Sequence, residues 1–180
     1  MPVTGDWTLA GKSCIGVFRS GFVWLLDLNC DGVYDGTPTD AFFPFGGLTN
    51  DVPVTGNWVA GQPTRVGVVR AYAPGGVVGA CNASTNTGCP FFWVLDGANP
   101  NAGPLASTHQ PSPGAYAYGG LFGDVFVTGD WLAVGYTRSG VYRQGIWLLD
   151  EGLNGAGNHT YDTFFGYGGV AGDVPVTGKW

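Results

Sequence analysis

One six-residue pattern recurs four times along the chain, and it constrains the fold more than any other feature. Pro2-Val3-Thr4-Gly5-Asp6-Trp7 returns at Pro53–Trp58, Phe126–Trp131 and Pro175–Trp180, each time with Val-Thr-Gly, one variable residue and a tryptophan. The four tryptophans are 51, 73 and 49 residues apart, so the second interval carries about 22 extra residues. Twelve positions after each of the first three tryptophans an arginine closes a short apolar run, at Arg19, Arg70 and Arg143. An aromatic-led run ending in aspartate follows, at Trp24–Asp27, Trp93–Asp96 and Trp147–Asp150. Each unit then ends on an aromatic run with paired glycines, at Phe42–Gly47, Tyr116–Gly120 and Phe164–Gly169. Four motifs kept in one order three times mark a repeat protein.

The units divide the chain into repeat 1 (1–52), repeat 2 (53–125, with insertions at 71–90 and 97–114), repeat 3 (126–172) and the start of a fourth (173–180). Each holds four short runs rich in β-branched and aromatic residues, separated by Gly-, Asn- and Asp-rich turns. That pattern predicts a four-stranded antiparallel sheet per unit. With 33 glycines and 12 prolines in 180 residues a mainly helical fold is excluded, since each costs roughly 1–3 kcal/mol inside a helix. Disorder is opposed by 44% hydrophobic, 14% aromatic and only 11% charged residues. The expected fold is all-β: three four-stranded antiparallel repeats, stacked as β-propeller-like blades, with a fourth copy of the first strand at the C-terminus.

Taken in order, the Asp-Val-Pro-Val-Thr-Gly-Asp-Trp, Ile-Gly-Val-Phe-Arg and Trp-Leu-Leu-Asp motifs resemble secreted bacterial repeats of the FG-GAP/VCBS-like type, related to integrin-α propeller blades. The resemblance covers nearly the whole chain and implies blade-like sheets in an extracellular protein. Members of that family often carry an Asp/Asn-rich calcium loop after the tryptophan. Here the corresponding stretches, Thr8–Ser13, Val59–Thr64 and Leu132–Thr137, lack carboxylates, so calcium is not carried over to them. Three blades are fewer than the four to eight of closed propellers. Two chains completing a ring, further repeats of a longer parent chain, a terminal strand completing a neighbour's sheet in a fibre, and a compact monomer all stay open. Self-association is the leading expectation.

Charge and cysteine content narrow the setting. Seven Lys and Arg against thirteen Asp and Glu give a net charge of −6. No basic cluster exists to serve nucleic acid, and no apolar run approaches the ~20 residues of a membrane span. The sequence opens inside the repeated motif with no signal peptide, as in a mature form or a fragment. The four cysteines suggest pairs Cys14–Cys30, across a hairpin turning near Ser20-Gly21, and Cys81–Cys89, closing a polar loop; free thiols are the alternative. Together with the sequons at Asn82 and Asn158, they favour an extracellular or cell-surface location.

Three site readings follow. Asp27, Asn29, Asp31, the Val33 carbonyl and Asp35 reproduce the first part of a calcium loop with Gly32 at the turn, Asp40 standing in for the missing closing acid. An Asx-rich turn bonding its own backbone is the competing reading. The recurrent Arg19, Arg70 and Arg143, near Trp24, Trp93 and Trp147, suggest either a glycan site or a structural role, as ion pairs to the recurrent Asp51, Asp124 and Asp173 or cation–π contacts across Trp between blades, the structural role being favoured because the residues recur in every unit. Catalysis has little support: His109 and His159 lie outside the repeating core and Glu151 is the single glutamate. The two insertions in repeat 2 are candidate recognition loops or tolerated surface excursions. The expected function is therefore non-enzymatic self-assembly or adhesion, including terminal-strand exchange. Glycan binding and an accessory role beside a secreted hydrolase are the alternatives.

Overall fold

The computed structural model describes residues 1–48, 50–71, 91–97, 116–119, 121, 123–151 and 163–178. Among them are twelve β-strands and no helix. The first sheet holds β1 (Pro2–Gly5), β2 (Cys14–Arg19), β3 (Val23–Leu26) and β4 (Ala41–Pro44). The second holds β5 (Val52–Gly56), β6 (Arg65–Ala71), β7 (Phe91–Leu95) and β8 (Tyr116–Ala117). The third holds β9 (Val125–Gly129), β10 (Arg138–Arg143), β11 (Ile146–Leu149) and β12 (Thr163–Gly166). In every sheet the strands lie in sequence order and pair antiparallel. Each set of motifs thus folds into one meander.

Local chemistry sets the turns. The β2–β3 hairpin reverses at Ser20 (φ 55°) and Gly21 (φ 75°), and β10–β11 at Gln144 (φ 49°) and Gly145 (φ 90°). Two successive residues with positive φ match the right-handed twist of the flanking strands. The glycine of each Val-Thr-Gly strand has a different purpose. A Cβ at Gly5 would stand 2.6 Å from the Trp7 ring, and one at Gly56 or Gly129 would collide with the ring of Trp58 or Trp131. The indole folds back over its own strand, and its Nε1 donates to the carbonyl of Ile15, Val66 or Ser139.

The sheets stack in series with their first strands β1, β5 and β9 side by side. Threonine hydroxyls join these strands: Thr55 Oγ1 donates to the Thr4 carbonyl and Thr128 Oγ1 to the Thr55 carbonyl, both at 2.9 Å. Between the first and second sheets, Trp7, Phe18, Trp24, Phe43 and Phe45 pack with Val66 and Val68. Between the second and third, Val69, Trp93 and Tyr118 pack with Val141. Val127, Tyr142, Trp147 and Leu149 form a smaller cluster in the third sheet. Residues 173–178, the fourth copy of the first strand, belong to no strand of this chain. They run beside the third sheet, where Val174, Pro175 and Val176 border a cavity with Tyr142, Trp147 and Tyr167.

Candidate functional site

The recurrent arginines at strand ends are ion-paired in the second and third sheets. Arg70, at the end of β6, reaches Asp51 Oδ2 at 2.9 Å. Arg143, at the end of β10, holds Asp124 through two parallel bonds, Nε to Oδ1 at 2.6 Å and Nη2 to Oδ2 at 2.9 Å. Both carboxylates sit in the linker that enters the sheet, and the linker backbone shapes them. Asp51 Oδ2 accepts from the Gly47 and Leu48 N–H groups, and Asp124 Oδ2 from Leu121 N–H. Each pair therefore fastens the linker from one sheet to the second strand of the next. Burial pushes the Asp51 carboxyl above its usual range, while the loop N–H groups and Arg70 pull it back. Asp51 Oδ1 and Arg70 Nε are buried without a partner, and they are the atoms that a two-bond geometry like that of Arg143 would join.

The series is incomplete at both ends. Arg19, at the end of β2, is exposed and has no carboxylate partner among the described residues. Asp173 stands in the third linker, where its Oδ2 accepts from Gly169 and Val170 N–H just as Asp51 does from its own loop, and it too lacks an arginine among the described residues. Ser13 and Asp130 show the same pattern. Within the chain, Thr64 Oγ1 accepts from Asp6 N–H and Thr137 Oγ1 from Asn57 N–H, stitching each sheet to the next. Ser13 holds the place of Thr64 and Thr137 in the first sheet, and Asp130 that of Asp6 and Asn57 in the third; both are exposed.

Apolar faces follow suit. On β2, Ile15 and Val17 are 57% and 45% exposed, whereas their counterparts Val66 and Val68 on β6 are 2% and 0% exposed beneath the first sheet. At the other end Tyr167 is 76% exposed, while its counterparts Phe45 and Tyr118 are 5% and 2% exposed between sheets. Tyr118 also donates its hydroxyl to the Leu148 carbonyl of the following sheet. The molecule thus presents two different open faces, one on its first sheet and one on its third, each equivalent to a surface that is covered inside the stack.

Trp24 and Trp93 are fully buried and Trp147 nearly so, their Nε1 atoms donating to the carbonyls of Phe45, Tyr118 and Tyr167. The rings of Trp24 and Trp93 thus pack in the clusters between sheets, and Arg70 and Arg143 are held by aspartates. Among the described residues the cation–π contact is Arg138 over Tyr136, at 4.8 Å from the ring centroid.

In the Asp27–Asp35 loop the side chains turn to the loop's own backbone. Asp27 accepts from Cys30 and Gly32 N–H, Asn29 from Asp31 N–H and Asp31 from Val33 N–H. Asp40 accepts from Leu28 and Asp35 N–H, and Asn29 Nδ2 donates to Asp31. Among the described residues no three acids, histidines or cysteines converge as they would around a metal ion. These loop oxygens thus adopt the Asx-turn arrangement, each engaged with the loop's own backbone. Cys14 and Cys30 are joined by a disulfide with Cα atoms 5.2 Å apart. Cys81, Cys89, His109, His159, both sequons and the bulk of the two insertions lie outside the described residues.

Two features escaped the sequence reading. Arg65 pairs with Asp96 at 3.7 Å with both side chains buried, and Arg138 donates to Tyr136 and to the Glu151 carbonyl. Aligning the repeats places Arg65 and Arg138 at the position of Cys14, so the disulfide of the first unit stands where the other two have a buried arginine. Comparison with family models, curated proteins and solved structures finds no match to the chain.

Proposed function

We propose that this chain is a non-enzymatic β-repeat module that self-assembles, the first sheet of one copy stacking on the third sheet of another. The carrying observation is that Ile15 and Val17 on one end, and Tyr167 on the other, are exposed although their counterparts are buried at both internal sheet junctions. Burying each such side chain is favourable by roughly 1.5–3 kcal/mol, and a second copy offers the surface that already covers their counterparts. The contact joins two unlike faces, so it closes into a ring or continues as a fibre. Two copies bring six sheets, within the four to eight of closed propellers that the resemblance to FG-GAP/VCBS-like blades implies.

Pro175-Val176-Thr177-Gly178 is identical to Pro2-Val3-Thr4-Gly5. Residues 174–178 line the third sheet where the first strand of a following sheet would run, and on this reading they take, in the assembly, the place that β1 holds beside β2 of the following copy. The Cys14–Cys30 disulfide supports an oxidising, extracellular setting for such assemblies. Light scattering of the whole chain against a variant lacking 173–180 tests the proposal. Mass at or above twice the 18.7 kDa of one chain, lost on deletion, is expected. A wild-type chain that stays at one-chain mass through the micromolar range overturns it.

A further inference from the structure

Resting on the stacking just proposed, we infer that Arg19 of one copy pairs with Asp173 of the next, and that this ion pair sets the alignment of the assembly. Inside the chain every junction between sheets carries the same device. An aspartate held by linker N–H groups receives the arginine that ends the second strand of the following sheet, as Asp51 receives Arg70 and Asp124 receives Arg143. At the two open ends the device is split. Asp173 has its loop already built, with Asp173 N–H donating to the Val170 carbonyl at 3.0 Å as Asp51 N–H does to Leu48 and Asp124 N–H to Leu121, each at 3.2 Å. Arg19 ends the second strand of the first sheet, directly before a hairpin turn as Arg143 is.

Geometry also specifies the surroundings. A Cβ at Gly46 or Gly119 would come within 2.9 Å of Asp51 or 3.3 Å of Asp124, and one at Gly168 within 3.0 Å of Asp173, so the three carboxylates sit alike over their glycines. Among the described residues, the cation that Asp51 and Asp124 receive is lacking at Asp173. The partner is thus an aspartate already fixed in a linker loop, and this chain carries one on its opposite face. Apolar stacking supplies adhesion between copies; the ion pair decides which linker meets which strand, the role that charge complementarity usually has at interfaces.

Charge exchange tests it. Assembly is measured by sedimentation or light scattering for the wild type, Arg19→Asp, Asp173→Arg and the chain carrying both. Each single reversal sets like charges against each other and is expected to weaken association at least about tenfold, and the double exchange to restore it. Because Asp173 also braces its own loop, Asp173→Asn serves as a second variant: it keeps an oxygen for the Gly169 and Val170 N–H groups while removing the charge, and should weaken assembly less than the reversal. Single reversals that assemble as the wild type does, or a double exchange that fails to restore, overturn the ion pair and leave the stacking intact. A wild-type chain that is monomeric removes the stacking itself.

Discussion

At the scale of single residues, the repeated sequence is a set of steric and electrostatic fittings. The glycine before each tryptophan exists because the indole folds back onto it. Gly129→Ala, which drives a methyl group into Trp131, is expected to cost about 1–3 kcal/mol, read as a lower melting temperature and denaturation midpoint. An unchanged midpoint would show that the ring is free to move away. The Arg70–Asp51 pair carries a pH signature. Burial raises the Asp51 carboxyl, so its own contribution to stability is present below its ordinary value of 3.8 and is lost as pH rises through the raised folded-state value. Arg70→Met leaves the carboxylate buried without its cation and raises it further. The loss should be on the order of 2 kcal/mol at neutral pH and shrink as acid protonates Asp51. Denaturant midpoints of both proteins across this range check the sign, and a loss that grows toward acid would contradict it.

At the scale of elements, the strands were legible because the pattern repeats. Trp24, Trp93 and Trp147 mark the third strand of each sheet, and the paired glycines mark its exit. The Arg–Asp pairing was legible as one of two readings, and its recurrence in every unit pointed the right way. Buried Arg65–Asp96 was not, since its distinguishing feature is a cysteine at the same position in another repeat. Nor did the run of acids from Asp27 to Asp35 reveal where its oxygens would point. The same spacing that can surround a cation also lets each side chain cap a backbone N–H two to five residues on, and here that is what they do. The Cys14–Cys30 bond closes this loop against β2. With its ends 16 positions apart in sequence, replacing both cysteines by alanine should cost about 3 kcal/mol, and reductant should lower the wild-type melting temperature toward that of the variant. A melting temperature indifferent to both changes would mean that the loop's Asx turns suffice.

At the scale of the whole molecule, the decisive fact is asymmetry between identical parts. The same strand is buried on both sides in β6 and β10 and on one side in β2, an arrangement invisible to composition or periodicity because Val17, Val68 and Val141 are alike in sequence. Sequence therefore announced the repeat, and only the stacked sheets revealed the two open faces. A face-specific mixing experiment tests head-to-tail stacking most directly. Val17→Glu places a charge on the open face of the first sheet, and Tyr167→Glu on that of the third; both side chains are exposed, so each variant should fold. Each alone should remain at the 18.7 kDa mass of one chain by light scattering, because its damaged face meets an intact one at every junction. Mixed in equal amounts, the two should form a complex of twice that mass through the one junction that retains both native faces. Variants that assemble alone, or a mixture that stays monomeric while the wild type associates, would contradict it.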